Sequence, residues 1–460
     1  MEPRHFDYVV IGGGSAGYAA ARAAREWFDK VAIIDAAAEL AGLCILRGCM
    51  PSKTLIYSTE VLHLAQQGKR FGLNIGTATA DMAAIHQRKL AIIEEFAAYR
   101  RDQLESEKFH LIRERATFVD EHTVVLKPSG ERLTADHFLI ATGSLVNTPD
   151  VPGLADTPHW TSDDVLDLDF LPESVIVLGG GTVACELAQF LRRAGSRVVQ
   201  IQRATQLLKE ISPQAAGVIE AVFREEGIEL HTGTELQSVT REGDQVVVRF
   251  SKEGQSHQVR GAHLFNALGR IPNTQHLGLA AAKVETLPSG HIRVNAMQQS
   301  THPRIYAAGD VAGPYEVVHV AILQAEVAAH HAAGQSPDPV NYDIRTGVIF
   351  TDPQVATAGI SLAEAAARGI ETRAADYPFD DHGKSILMDA KHGHVKAWMD
   401  RATGKLIGAE CVGKYAGELI HPMAVALTLA ASPADLLKVH WYHPTLSEIW
   451  SYPLEELAGG

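Results

Sequence analysis

The 460-residue sequence is poor in cysteine, holds no long apolar run and has no excess of positive charge. Four cysteines are too few for the disulfide framework of a small secreted scaffold, and in a reducing compartment a close thiol pair reads as catalytic or metal-binding rather than structural. The richest apolar stretch, Pro422 to Ala431, is about half of the roughly 18–20 residues that a spanning helix requires, so no membrane partner is expected. Lys and Arg total 41 against 55 Asp and Glu, a formal net charge of −14. That balance excludes the basic stripe of a nucleic-acid binder and a polybasic membrane patch. The first strand pattern begins at Phe6, leaving no room for the regions of a secretory signal, and this predicts a cytoplasmic protein. Hydrophobic and charged shares of 46% and 21% are those of a globular chain, and the length allows about three domains.

Glycine, in contrast, is concentrated at two places. A strand pattern from Phe6 to Ile11 leads into Gly12-Gly13-Gly14-Ser15-Ala16-Gly17, an Ala-rich helical run from Tyr18 to Glu26, and a strand from Val31 to Ile34 closed by Asp35. In such a unit the glycines at 12, 14 and 17 serve the tight turn, the approach of a pyrophosphate to the backbone and the close packing of helix on strand. The helix N-terminus receives the phosphates, and Asp35 stands where an acid bonds the ribose hydroxyls of an adenosine. The pattern returns 167 residues later, with a strand from Ser174 to Leu178, Gly179-Gly180-Gly181-Thr182-Val183-Ala184, a helix through Arg193 and a strand from Arg197 to Ile201. One Gly-rich loop is a weak signal, but two complete units predict two dinucleotide-binding domains. Thr148 to Gly153 forms a Pro/Gly hinge before the second unit, and Arg270 to Thr274 closes it. A last region holds strand patterns at Gly347–Thr351 and His394–Met399 and a helical run from Leu419 to Ala431.

Two of the four cysteines are close together, in Ala41-Gly42-Leu43-Cys44-Ile45-Leu46-Arg47-Gly48-Cys49-Met50-Pro51-Ser52-Lys53. The C-x4-C spacing is too wide for most zinc sites and no further ligand pair completes a tetrahedron, so no metal is expected and a redox pair is the better reading. Cys185 and Cys411 stand alone in apolar segments, where a cysteine is usually an inert small hydrophobe.

The two loops, the Cys44/Cys49 segment, Ile140-Ala141-Thr142-Gly143, Ala267-Leu268-Gly269-Arg270, Ile305-Tyr306-Ala307-Ala308-Gly309-Asp310 and His443-Pro444-Thr445-Leu446-Ser447-Glu448 occur in the order seen in flavin disulfide reductases. The chain resembles that family, which includes dihydrolipoamide dehydrogenase, glutathione reductase and mercuric reductase, over its whole length. The resemblance implies an α/β fold of two Rossmann-like dinucleotide-binding domains plus a C-terminal α+β dimerisation domain. It places an FAD domain at 1–148, an NAD(P) domain at 149–272, a central domain completing the FAD site at 273–340 and the interface domain at 341–460. It implies FAD against Gly12, Gly14, Gly17, Asp35, Thr142, Gly143 and Asp310, a Lys53–Glu186 ion pair near the flavin, and a helix opening at His319 whose N–H groups face it. The nicotinamide cofactor falls to Gly179, Gly181 and Gly269. Cys49 is implied to face the flavin and Cys44 to attack the substrate, with His443 as the base that a thiol of pKa ~8.5 needs and Glu448 orienting it. His443 is implied to reach the neighbouring subunit of a homodimer.

Departures from the family pattern carry further expectations. Gln202 replaces the acid usual in NADH-dependent members, and Arg203 and Lys209 are similar to the basic pair that clamps a 2′-phosphate, so NADPH rather than NADH is expected. Leu43, Leu46 and Arg47 differ from the usual cysteine motif, and Arg47 either acts on the thiols and an acidic substrate or faces solvent. Trp441 stands where dihydrolipoamide dehydrogenases commonly carry a histidine, and no cysteine follows Cys411, against the C-terminal redox pair of mercuric reductase. The leading reading is a dihydrolipoamide dehydrogenase-like oxidoreductase acting on a small disulfide or a lipoyl group. The alternatives are a glutathione-type or other low-molecular-weight disulfide, a metal ion or a quinone as acceptor, and a redox-sensing flavoprotein without catalytic turnover.

Overall fold

A computed structural model describes residues 3–459. The chain opens with β1 (Arg4–Ile11), α1 (Ser15–Ala24) and β2 (Val31–Ile34), continues through α2 (Leu43–Arg47), α3 (Cys49–Gln66) and α4 (Met82–Leu104), and returns as β3 (His110–Ile112), β4 (Arg115–Phe118), β5 (Thr123–Lys127), β6 (Arg132–Ile140) and β7 (Ser144–Val146). After α5 (Ser162–Leu166) the second unit runs β8 (Ser174–Leu178), α6 (Thr182–Ala194), β9 (Arg197–Ile201), α7 (Pro213–Glu225), β10 (Glu229–His231), β11 (Thr234–Glu242), β12 (Gln245–Lys252), β13 (Gln255–Gly261) and β14 (His263–Asn266). β15 (Arg270–Pro272), β16 (Ile305–Ala307) and α8 (Val318–Ala332) follow. The chain then forms β17 (Thr346–Ile349), β18 (Gln354–Gly359), α9 (Leu362–Ala367), β19 (Thr372–Pro378), α10 (Gly383–Leu387), β20 (His394–Asp400), β21 (Leu406–Gly413), α11 (Ala416–Leu419), α12 (His421–Thr428), α13 (Pro433–Leu436) and α14 (Ser451–Ala458).

Four strands pair in parallel with their neighbours in the order β3-β2-β1-β6, and β16 adds in parallel to the end of β6, so a strand from late in the chain completes the first sheet. The fully buried Val9, Val10 and Ile11 explain why β1 sits at its centre. Alanine dominates the contact between α1 and α8, where Ala20, Ala21, Ala24, Ala325, Ala328 and Ala329 are all buried in one cluster. Small side chains let two helices approach closely on one face of the sheet. The second unit is a parallel sheet in the order β10-β9-β8-β14 with an antiparallel β11-β12-β13 meander beside it. β7 and β15 pair antiparallel, joining the chain on either side of that unit.

The last region is an antiparallel sheet in the order β17-β18-β21-β20-β19, whose core includes Ile420, Met423, Trp450 and Leu454 from the helices that follow it. The single helical run expected from Leu419 to Ala431 is two helices. Pro422 lacks the N–H that a continuing helix requires and is accommodated in the first turn of α12, and Ala430, at φ 49°, turns the chain out again. The strand expected to reach Thr351 ends at Ile349, because the Phe350 N–H leaves the ladder to bond Glu186. Among the described residues, no helix is long and apolar enough to cross a membrane.

Candidate active site

The two close cysteines sit where two elements meet. Cys44 is on α2, half-buried, and Cys49 is the first residue of α3, whose N-cap, Gly48, supplies no side-chain bond. A thiolate there faces unsatisfied backbone N–H groups and the positive end of the helix. The whole loop rests on the first Gly-rich turn: a Cβ on Gly42 would come within 2.6 Å of the Gly14 Cα. The thiols act on one another. Interaction with Cys44 and the Lys53 ammonium pull Cys49 down to about 6 against the opposing effect of burial. Hydrogen bonding to Cys49 and burial push Cys44 up. The pair therefore shares one proton near neutrality, and its surroundings favour the thiolate at Cys49.

Lys53 follows one turn along α3 and bonds Glu186 Oε2 at 2.7 Å. Glu186 is buried on α6, accepts the Phe350 N–H at 2.9 Å through its other oxygen, and Lys53 Nζ lies 4.6 Å from the Phe350 ring centroid. A cavity of about 310 Å³ opens beside this pair, lined by Tyr57, Gln354 and Tyr415 among others. Arg47 turns toward α5, with Nη1 3.9 Å from Asp163 Oδ2 and 4.0 Å from Asp167 Oδ2, and Asp167 also binds the buried Lys89 at 2.7 Å. Two acids thus face the arginine that the sequence leaves open between the thiols and solvent.

The first Gly-rich turn fits a dinucleotide. A Cβ on Gly12, at φ 108°, would run into the Ala141 carbonyl, and α1 starts at Ser15 with no side-chain cap. Asp35 accepts the Gly13 and Ala37 N–H groups at 2.7 Å each, which aims the carboxylate and leaves two lone-pair sites for ribose hydroxyls. Gly17 packs on the Gly12 carbonyl. Further along, Thr142 donates to the Asn273 carbonyl at 2.7 Å, Gly143 has open space where a Cβ would stand, and Asp310 accepts from Ser144 Oγ at 2.6 Å. α8 begins uncapped at Val318, with His319 in its first turn. Burial lowers the His319 pKa, so its ring is neutral and the positive end here is the helix itself.

The second turn repeats the geometry at Gly179, whose Cβ would meet the Ala267 carbonyl. Gly181 and Gly269 have nothing within 4 Å of where a Cβ would stand, which leaves room at the turn for a bound group. At the end of β9 Gln202 lies against Gly180, Arg203 is exposed with no acid paired to it among the described residues, and Lys209 lies 3.3 Å from Glu210. No acid occupies the strand end. Cys185 and Cys411 are fully buried, as lone cysteines in apolar segments should be, and burial pushes the Cys185 thiol up to about 12.

In the C-terminal region His443 Nδ1 lies 3.0 Å from Glu448 Oε2 and 3.1 Å from Oε1. The ring is 78% exposed while Glu448 is buried, and the groups that act most on Cys44 in the same chain are Cys49 and Lys53, not His443.

Residues 6–325 match the pyridine nucleotide-disulphide oxidoreductases and residues 346–452 match the dimerisation domain of that family. The chain belongs to this family. Its relatives include a mercuric reductase of Streptomyces lividans, 33% identical over 96% of this chain and 94% of that one, and the dihydrolipoyl dehydrogenase of Bacillus subtilis, 29% identical over 96% of both. Among solved structures, LpdA from Mycobacterium tuberculosis superposes with a TM-score of 0.88 at 28% identity, covering 98% of this chain and 99% of that one. The oxidoreductase therefore has the mixed α/β fold expected of it, binds FAD and a pyridine nucleotide, and carries a dimerisation domain.

Several polar groups of the oxidoreductase's site escape a reading of the sequence. Phe350 covers the Lys53–Glu186 pair from the C-terminal region. Arg193 on α6 binds Glu226 at 2.5 Å and Asp352 at 2.9 Å, and Lys414 binds Glu60 on α3 at 2.5 Å. Lys414–Glu60 ties the cysteine helix to the interface domain, and Arg193–Asp352 ties the second unit to the same domain. None has a local spacing signature, since Arg193–Asp352 and Lys414–Glu60 join residues 159 and 354 positions apart and even Arg193–Glu226, within the second unit, spans 33.

Proposed function

We propose that the chain is an FAD-dependent NAD(P)H:disulfide oxidoreductase in which Cys44 and Cys49 cycle between disulfide and dithiol, acting on a free or protein-bound lipoyl group in the manner of dihydrolipoamide dehydrogenase. The observation that carries this reading is the low-pKa Cys49 at a helix N-terminus, beside Cys44 and above the Lys53–Glu186 pair. Bound FAD supplies two-electron exchange between the nicotinamide and the Cys44–Cys49 pair. FAD falls to the cradle of Gly12, Gly14, Gly17, Asp35, Thr142, Gly143 and Asp310 with the first turn of α8, and the nicotinamide cofactor to that of Gly179, Gly181 and Gly269.

In the reducing direction the Cys44 sulfur, deprotonated by His443, attacks one sulfur of the substrate disulfide. A Cys44–substrate bond forms, the substrate S–S bond breaks, and the departing thiolate takes the proton back from His443. The Cys49 thiolate then attacks the Cys44 sulfur, which restores the enzyme disulfide and releases the second substrate sulfur as a thiolate that takes its proton from water. The reverse sequence oxidises a dithiol. Glu448 holds the N–H at Nδ1 of His443, leaving Nε2 as the base, and stabilises the imidazolium. The exposed His443 ring, with Glu448 as its partner, is available to the Cys44 of a second copy, which makes the active unit a homodimer. Gln202, Arg203 and Lys209 favour NADPH, since no acid at the end of β9 repels a 2′-phosphate.

A second reading gives the same pair of thiols a thiophilic metal ion, and the 33% identity to a mercuric reductase supports it. One panel decides: anaerobic NADPH reduction followed at long wavelength, then steady-state rates with lipoamide, oxidised glutathione, a lipoylated carrier protein and Hg(II). Turnover of lipoamide or the carrier is expected to exceed the others. Turnover of Hg(II) alone would replace the first reading by the second, and the absence of a long-wavelength band in the reduced enzyme would remove the dithiol mechanism.

A further inference from the structure

Glu448 has a second histidine beside it. His382, the residue before α10, is fully buried. Its Nδ1 lies 2.8 Å from Ser385 Oγ, and its Nε2, buried and without a hydrogen-bond partner among the described residues, faces Glu448 Oε1 at 3.5 Å. The Tyr452 ring packs edge-on against it at 6.3 Å and is itself stacked on Tyr377, whose hydroxyl donates to Asp381 at 2.9 Å. The titratable groups facing His382 are therefore Glu448 and, through it, His443, while the neighbouring Asp381 is engaged by Tyr377.

We propose that His382 is a positioning residue for the His443–Glu448 pair: as a neutral imidazole it donates its Nε2–H to Glu448 and fixes the carboxylate that orients His443. The proposal rests on the reading of His443 as the acid–base group. The tautomer follows from the surroundings. A lone pair on Nε2 would face a carboxylate oxygen, which repels it, whereas the Ser385 hydroxyl can donate to Nδ1 as readily as accept. Burial holds His382 below the usual histidine range, so it donates without carrying charge. Glu448 receives His443 on both oxygens and the Thr445 N–H at 3.4 Å, and the unpartnered His382 Nε2 faces its Oε1 at 3.5 Å, where the donation closes the shell around the carboxylate. The exposed His443 ring owes its direction to Glu448, and Glu448 owes part of its own to a histidine that never meets solvent. A carboxylate so held stabilises the His443 imidazolium, which in turn favours the Cys44 thiolate.

The test uses the two-electron-reduced holoenzyme and the pH dependence of Cys44 alkylation by iodoacetamide. His382→Phe keeps a ring and removes the donor; His382→Gln supplies an amide N–H. The Phe variant is expected to move the alkylation midpoint up by about one pH unit, about tenfold slower at pH 7, and Gln to recover to within about threefold of the native rate. Reduction of the holoenzyme by NADPH, which does not use His443, should stay within about twofold in both. A Phe profile that coincides with the native one, equal displacement of Phe and Gln, or equal slowing of the NADPH step would each overturn the proposal. His443→Ala separates the two levels. If it leaves the alkylation profile unmoved, the acid–base reading of His443 fails as well; if it moves the profile and His382→Phe does not, only the role of His382 fails.

Discussion

Lys53 Nζ lies 2.7 Å from Glu186 Oε2, a bond that ties the helix carrying Cys49 to the helix that follows the second Gly-rich loop. The two dinucleotide units meet at this pair. Glu186 is only 3% exposed, so Lys53→Met leaves a buried carboxylate without its counter-ion, at a cost of about 3 kcal/mol. A lower denaturation midpoint of the purified protein checks this. Glu186→Gln, which removes the charge and keeps an acceptor for the Phe350 N–H, should cost less. Equal stability of Lys53→Met and the native protein would show that the pair is not structural.

The thiol pair makes a pH prediction. A thiolate at Cys49 with a pKa of about 6 is present above that pH and lost as pH falls through it. In the two-electron-reduced holoenzyme the long-wavelength charge-transfer absorbance should therefore disappear on acidification with a midpoint near 6, not near the ~8.5 of an ordinary thiol. Cys49→Ser should lack the band at every pH. In Lys53→Met, which removes a nearby positive charge, the midpoint should rise; a midpoint that stays put would assign the low pKa to Cys44 and the helix end alone.

How much of this was legible in the sequence depends on how local each signal is. The strands Val31–Ile34, Ser174–Leu178 and Arg197–Ile201 appear with the bounds that hydrophobic runs between turn residues predict. Lys53 and Glu186 are visible because each belongs to a short motif, although 133 residues separate them. Phe350 and His382 belong to no motif. They reach the site only because the antiparallel C-terminal sheet brings its turns and helix starts there, and a tertiary contact of that kind leaves no periodicity behind. Leu419–Ala431 failed in the opposite way: its apolar content is continuous, and only Pro422 betrays the break.

Removal of the proposed base should separate the two halves of the reaction. His443→Gln and Glu448→Gln are expected to lower disulfide turnover by about 10²-fold or more and about tenfold, respectively, while leaving reduction of the holoenzyme by NADPH unchanged. Stopped-flow reduction and steady-state rates measure the two independently. Parallel loss of both rates would place His443 in the folding of the C-terminal region instead.

Arg47 offers a negative prediction. With its guanidinium about 4 Å from Asp163 and Asp167, and half-exposed, its charge is balanced by those acids and screened by water. Arg47→Ala should shift the Cys49 midpoint by less than about 0.3 units, near the limit of what an exposed pair transmits. A larger rise would mean that the arginine leaves the acids for the thiols in the working enzyme.

The nicotinamide site makes the prediction with the widest consequence. Specificity here turns on which group meets position 2′ of the adenosine ribose, and Gln202 beside Gly180 is uncharged, with Arg203 exposed next to it. A guanidinium–phosphate bond contributes about 1.5–3 kcal/mol, so Arg203→Ala should lower kcat/KM for NADPH by about 10- to 100-fold and leave that for NADH nearly unchanged. Lys209→Ala should do less, because Lys209 already has Glu210 3.3 Å away. Gln202→Glu should go further and turn the protein toward NADH, since a carboxylate at the strand end both repels a phosphate and accepts from ribose hydroxyls, as Asp35 is placed to do in the first unit. If the native protein already favours NADH, Arg203 does not contact the ribose phosphate, and the uncharged Gln202 suffices to hold the diol.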